Sequence, residues 1–266
     1  MAPGLLTLDF DGVVCDGMEE FFESAWRALA EVTGRPLPPA RRAGLRARFA
    51  ALRPVVESGW EMVALLGVLS ERDPAGDAAL RDEARWAEAR DGYVKAHRLE
   101  RGPLTVALDT VRARWVAEDR PGWLARHRFY PGVAPWLARL VAEGRLVYVL
   151  STKDKRFLDA LLGAHDVPLP SERVIGKAEP KQEKWEVIRA LAAARGAAAS
   201  DVWFVEDRLA TLLDFRRHAP DLAAVRLFLA AWGYVFPERD PDAARAAGIP
   251  VLGLEQAIGP FDGWPA

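Results

Sequence analysis

The stretch LLTLDFDGVVCDG, residues 5–17, carries an apolar run into two carboxylates, Asp9 and Asp11, and follows them at once with Gly12. LLTLDF reads as a short strand. If the strand stays extended, the two acids point to one side, roughly 6.6 Å apart at about 3.3 Å rise per residue. Converging carboxylates are costly in a water-poor site unless a cation joins them or one keeps a proton. The glycine lets the chain break away directly after them. The stretch therefore predicts a buried first strand that delivers two acids to its carboxyl end.

The next comparable apolar run is LVYVLS, 146–151, and the interval between the two has a different rhythm. Within 17–127, Phe21, Phe22, Ala25, Trp26 and Leu29 form one helical stripe, and Met62, Leu65, Leu66 and Leu69 form another with charged residues opposite. Breaks at Thr33-Gly34-Arg35-Pro36, Arg53-Pro54 and Arg101-Gly102-Pro103 divide the interval into four to six predicted helices. After Tyr130-Pro131-Gly132, helices and strands alternate. Helices are expected near 132–143, 154–163, from about Lys181 and over 208–217, and strands at LVYVLS, ERVIG, VWFVED (202–207) and AAVRLFL (223–229). Short apolar strands alternating with helices argue a parallel sheet covered on both faces. The expected fold is α/β: a doubly wound, Rossmann-like parallel sheet core over 1–16 and 128–266, with an all-helical cap, 17–127, inserted after the first strand.

Thirty-six basic residues nearly balance thirty-eight acidic ones, and they are interspersed rather than clustered. That speaks against nucleic acid or a membrane surface as partner. One cysteine, Cys15, excludes an internal disulfide, and four scattered histidines offer no zinc site. Without a signal-like segment or a membrane-length apolar run, a cytoplasmic protein is expected, monomeric or homodimeric.

Ligands of open α/β sheets bind beyond the carboxyl ends of the strands. The first strand ends at Asp9 and Asp11, LVYVLS at Ser151 and Thr152, and VWFVED at Glu206 and Asp207. Any one of these alone reads as an ordinary helix cap. Their joint placement at one sheet edge points to a site. Asp9, Asp11 and Asp207 are hard oxygen ligands that suit Mg²⁺, with water and a substrate phosphate completing the shell.

These residues resemble the four ordered motifs of the haloacid dehalogenase superfamily of aspartate-nucleophile hydrolases. LLTLDFDGVV resembles the first motif, VYVLST the second, GKAEPKQEKWEVI the lysine-bearing third and VWFVED the fourth. The resemblance implies that Asp9 attacks phosphorus to form an aspartyl-phosphate, and that Asp11 protonates the leaving oxygen and then activates water. It also implies that Asp9, Asp11 through its carbonyl, and Asp207 hold Mg²⁺, and that Ser151 with neighbouring N–H groups, Thr152 among them, grips the phosphoryl group. For the lysine, Lys184 comes first, because it shares a helix face with Ile188 and Leu191; Lys181 is second and Lys177 third. The fourth motif departs from the family pattern: it reads Glu206-Asp207 with Thr211 beyond, which makes Glu206 the candidate for the further metal ligand.

In the expected cap, RPVVESGW, 53–60, places Pro54 in the first turn of a helix and Arg53 and Glu57 one turn apart. Either the two read a polar leaving group or they form a surface ion pair. The function expected is a Mg²⁺-dependent phosphatase acting on a small phosphorylated metabolite. A phosphomutase of the same family and a non-catalytic binding protein that retains the fold are the other readings.

Overall fold

The computed structural model describes residues 2–177 and 182–265. The chain forms two compact units, Met1–Asp16 with Arg128–Ala266, and Gly17–His127. In chain order, β1 (Leu5–Asp9) and β2 (Cys15–Asp16) precede five α-helices: α1 (Met18–Thr33), α2 (Arg42–Leu52), α3 (Gly59–Glu71), α4 (Glu83–Ala96) and α5 (Arg101–Leu124). Then follow β3 (Arg128–Phe129), α6 (Val133–Ala142), β4 (Val147–Leu150), α7 (Lys155–Ala164), β5 (Val174–Ile175), α8 (Lys184–Arg195) and β6 (Val202–Glu206). The remainder is α9 (Leu209–His218), β7 (Arg226–Ala230), α10 (Asp240–Ala246), β8 (Val251–Leu252) and α11 (Leu254–Ile258). Among the described residues, no helix is long and apolar enough to cross a membrane.

The first unit is built on a six-stranded parallel sheet in the order β5-β4-β1-β6-β7-β8. Every residue of β1, β4 and β6 is buried, which is why these strands read as continuous apolar runs rather than alternating ones. Leu5, Leu6 and Leu8 are within 2 % of complete burial, and each contributes about 1.5–3 kcal/mol of hydrophobic stabilisation. Thr7, the polar residue among them, is satisfied by donating from Oγ1 to the Trp203 carbonyl at 3.1 Å. On one face of the sheet Tyr148 and Phe204 pack with Ile188 of α8 and Phe215 of α9.

From β1 the chain runs outward to β4 and β5, then returns to the other side of β1 to lay down β6, β7 and β8. The reversal falls between β1 and β6, so a crevice is expected at their carboxyl ends. The exit from β1 is a tight turn. The Phe10 carbonyl accepts from the N–H groups of Val14 (2.9 Å) and Cys15 (3.0 Å), and Gly12 sits at φ +97°, where side chains other than hydrogen are disfavoured. Beyond it β2 pairs antiparallel with β3, Cys15 opposite Phe129 and Asp16 opposite Arg128. Two residues per strand leave no periodicity to read, and this ribbon has no counterpart in the sequence-based expectation.

In the helical unit, α1 buries Phe21, Phe22, Ala25 and Leu29 as its stripe predicts. α3 departs from expectation. Instead of one apolar stripe with charges opposite, the whole run Glu61–Leu69 is buried. α3 packs against α1, α2, α4 and α5, and Val63, Ala64, Gly67 and Val68 make its other faces apolar too, as a central helix requires. Gly67 is bare because the Tyr93 ring lies where a Cβ would go. The one charge inside the buried run, Glu61, accepts from Arg90 Nη1 at 2.5 Å and from the Glu57 N–H at 2.7 Å. The helix expected from Pro54 is also absent. Arg53–Val55 form a single 3₁₀ turn, Val56 is extended, and α3 starts only at Gly59. Arg53 is buried and donates from Nη1 to the Val56 carbonyl at 2.9 Å, so it ties off this turn instead of lying one helical turn from Glu57.

Candidate active site

Side chains from the adjacent carboxyl ends of β1 and β6 converge. One oxygen from each of Asp9, Glu206 and Asp207 lies within 4.8 Å of the others, and all three residues are buried. Local structure makes the convergence possible. Leu8 is in register with Val205, so the last residues of the two strands lie side by side. Glu206 is held from below, because its Oε1 accepts from the N–H groups of Asp207 (3.1 Å) and Arg208 (3.0 Å) at the start of the turn into α9.

Three buried carboxylates need positive charge, and α8 supplies it. Lys184, its first residue, donates from Nζ to Asp9 Oδ1 at 2.5 Å and to Glu206 Oε2 at 2.6 Å. Burial works against the charged ammonium, but Asp9 and Glu206 outweigh it and hold Lys184 above the ordinary lysine range. For Asp9, burial is the largest influence and pushes its pKa from 3.8 up to about 7; Lys184 pulls the other way, and Glu206 and Asp11 add to the rise. The protein's own groups leave Asp9 poised near neutrality in the absence of a second cation. Ile188 is fully buried one turn along α8 and seats the helix on the sheet.

Asp11 does not join the triad. Its carboxylate is turned to Lys153, whose Nζ stands 2.9 Å from Asp11 Oδ1. Lys153 is buried in the turn after β4. Ser151, one residue beyond the Asp9–Leu150 pair in register, is half-buried; its N–H donates to the Ile175 carbonyl at 2.9 Å and its Oγ accepts from the Lys153 N–H at 3.1 Å. Thr152 is exposed.

Asp207 is enclosed by backbone. Its Oδ2 accepts from the Tyr234 N–H at 2.7 Å. A Cβ on Gly12 would strike the Asp207 carboxylate, and one on Gly233 would strike Asp207 Cβ and the Gly12 carbonyl. The loop after β7 is further anchored by Trp232 Nε1 donating to the Val13 carbonyl (3.0 Å) and Tyr234 Oη donating to Asp16 Oδ1 (2.8 Å). Residues 231–237, AWGYVFP, thus border the site through their backbone.

Of the sequence candidates, Asp9, Glu206, Asp207 and Lys184 come together. Asp11 lies in the turn that follows β1, and Ser151 at the end of the neighbouring strand β4. Lys181 lies outside the described residues, Lys177 is exposed, and Arg53 and Glu57 belong to the helical unit. One contributor escaped the sequence reading: Lys153 has the signal of any lysine before a helix. The stretch AWGYVFP could be placed at the border of the site from its position after the fifth expected strand, but the Tyr234 contact is made by an N–H, which no side-chain pattern announces.

The donor set fits a hard divalent cation. It offers carboxylate oxygens only, clustered and buried, in a cradle where two glycines keep Cβ atoms off Asp207. A family model described as a haloacid dehalogenase-like hydrolase matches residues 4–213.

This chain belongs to the haloacid dehalogenase-like hydrolases.

The span matched takes in all four strand-end and helix-start segments of the site. Among curated proteins, none matches the chain. Among solved structures, it is similar to a "predicted phosphatase" from Clostridium acetobutylicum, at 14 % identity, 97 % coverage of both chains and a TM-score of 0.62. It is also similar to a "predicted phosphoglycolate phosphatase" from Haemophilus somnus 129pt, at 14 % identity, 90 % coverage of both and a TM-score of 0.57. A haloacid dehalogenase-like family hydrolase from Streptococcus pneumoniae shows 12 % identity over 95 % of this chain and 94 % of that one, with a TM-score of 0.54. At such identities the likeness is one of fold. It extends over the α/β core and the helical residues between β2 and β3 alike.

Proposed function

We propose that this hydrolase is a Mg²⁺-dependent phosphatase that cleaves a small phosphorylated metabolite through an aspartyl-phosphate on Asp9. The observation that carries the reading is the Lys184 ammonium bridging Asp9 and Glu206 inside a buried three-acid cluster. Phosphatase names among the structural neighbours agree with it.

Asp9, Glu206 and Asp207 would hold the ion, with the Asp11 carbonyl beside them. When bound, Mg²⁺ neutralises phosphoryl charge and lowers the cost of keeping Asp9 ionised. Lys184 balances the nucleophile and the charge that builds on the transferring group. Ser151 and the N–H groups that lead into α7 grip phosphoryl oxygens. An Asp9 oxygen bonds to phosphorus while Asp11 gives its proton to the leaving oxygen; Asp11 then takes a proton from the water that frees phosphate. The helical unit is assigned the role of a cap that selects the substrate, with Arg53 and Glu57 as contacts to be tested. A cytoplasmic location suits a phosphorylated metabolite.

The test is phosphate release from an aryl phosphate with Mg²⁺, with chelator, and in Asp9→Asn. The chelator and the substitution should each abolish turnover; turnover that survives both would falsify the aspartyl-phosphate mechanism. For the cap, Arg53→Ala should raise KM for a natural phosphometabolite found by panel screening more than for the aryl phosphate, and equal changes would remove Arg53 from substrate recognition.

A further inference from the structure

β4 ends at Leu150, and the chain turns through Ser151–Asp154 before α7 begins. Within that turn the Lys153 side chain is only 2 % exposed, a rare position for a residue type that almost always keeps its charge in water. The turn is built to hold it. Its N–H donates to Ser151 Oγ at 3.1 Å, its carbonyl accepts from the Lys177 N–H at 2.9 Å, and a Cβ on Gly176 would press on that carbonyl. The ammonium lies 5.6 Å from the centre of the Phe10 ring and 2.9 Å from Asp11 Oδ1. Asp11 Oδ1 is itself buried, and it meets the ammonium as an ion pair, without an aligned hydrogen bond.

Buried ion pairs are weak contributors to stability, because desolvation of both charges offsets their attraction. This pair does something more specific. It commits one carboxylate oxygen of Asp11, Oδ1, to the protein. We propose that Lys153 is a positioning residue for the hydrolysis: its ammonium holds the Asp11 carboxylate in the orientation from which a proton passes to the leaving oxygen and later returns from water. The proposal rests on the phosphatase reading of the site. In the first step the Asp9–phosphorus bond forms as the ester phosphorus–oxygen bond breaks, and the departing oxygen takes the Asp11 proton and leaves as an alcohol. In the second, water attacks phosphorus, its proton goes to Asp11, and the Asp9–phosphorus bond breaks to give phosphate, the Asp9 carboxylate and protonated Asp11.

A misplaced proton donor harms a poor leaving group far more than one that departs unaided. Single-turnover release of the phenol with enzyme in excess and Mg²⁺, which reads the first step alone, should be compared for phenyl phosphate and dinitrophenyl phosphate. Lys153→Met should lose on the order of 100-fold with phenyl phosphate and under about tenfold with dinitrophenyl phosphate, following the usual size of acid catalysis. Asp11→Asn should show the same pattern more steeply, and Lys153→Arg, which keeps the charge, should fall between Lys153→Met and the parent. Equal losses on both substrates would overturn the positioning role and leave the phosphatase reading standing. Asp11→Asn without leaving-group sensitivity, or Asp9→Asn with full activity, would overturn the reading beneath it. If Lys153→Met loses its cooperative melt, Lys153→Arg carries the comparison alone, and an unchanged ratio of the two rates in that variant rejects the proposal.

Discussion

Replacing Lys184 with methionine keeps an unbranched side chain of similar length and removes the charge that sits between Asp9 and Glu206. In the parent, Nζ makes bonds of 2.5 and 2.6 Å to these two acids, and its side chain is 18 % exposed against 10 % for Asp9 and 3 % for Glu206. At such burial solvent screens little, and breaking a buried pair by deleting one partner costs about 3–5 kcal/mol, because the other charge is left uncompensated. Here two acids are stranded and Asp207 lies beside them, which places the expected loss in the upper part of that range. For a domain of roughly 150–250 residues each kcal/mol is worth about 2–4 °C, so a loss of about 4–5 kcal/mol should lower the melting transition of the core in EDTA by about 8–20 °C. Mg²⁺ should return part of this, because a cation that binds only the folded protein at about 100 times its Kd contributes about 2.7 kcal/mol. The stranded acids should make the Mg²⁺-induced shift larger in Lys184→Met than in the parent. Phosphatase activity should nevertheless drop about 10²–10³-fold, the usual consequence of removing one preorganised charge from a transition state. Differential scanning calorimetry in EDTA and in Mg²⁺ reads both effects. A melting temperature in EDTA equal to the parent's would refute the claim that Lys184 compensates the buried acids.

The elevated Asp9 pKa predicts a pH dependence for the metal-free protein. The folded state keeps the Asp9 proton up to about pH 7, whereas the unfolded chain loses it near 3.8, so the native state binds more protons across that window and stability in EDTA should fall as pH rises through it. Urea midpoints taken across that range should slope downward in the parent and flatten in Asp9→Asn; equal slopes would place the titration elsewhere. Gly12→Ala forces a Cβ into the Asp207 carboxylate at a φ of +97°, a conformation that costs about 1–3 kcal/mol for other residues. Calorimetric titration with Mg²⁺ should show at least about a tenfold weaker Kd while Trp fluorescence stays native-like, and an unchanged Kd would mean that Asp207 is no ligand.

The fold class was legible because the central sheet strands carry their own evidence, whereas β8, two residues long, had no counterpart in the expectation. LLTLD, VYVL and VWFVE are apolar throughout, and only a parallel sheet with both faces covered asks for that. The acids at their ends were legible only together: any one of them reads as an ordinary helix cap, and their joint placement at one sheet edge points to a site. Lys184 could be ranked first because its spacing to Ile188 placed it on the face that meets the sheet. α3 misled because periodicity shows a stripe but does not say how many neighbours surround the helix. The helix expected from Pro54 misled because a proline marks the start of a turn and gives no information about where the turn ends.

By itself, then, the chain's order of residues determined five of the six sheet strands, the parallel sheet, and which acids and which first-ranked lysine would stand at its edge, all of which follow from local pattern and from the rule that places ligands at strand ends. Only the tertiary structure decided the pairing of charges. Asp9 shares Lys184 with Glu206, Asp11 faces Lys153, and Asp207 is closed in by Gly12, Gly233 and the Tyr234 N–H. The widest of these contacts, Asp11 with Lys153, Asp9 with Lys184 and Gly12 with Asp207, join residues 142, 175 and 195 positions apart, and their energies depend on distances and burial that arise only when β1, β4, β6 and the loop after β7 lie side by side.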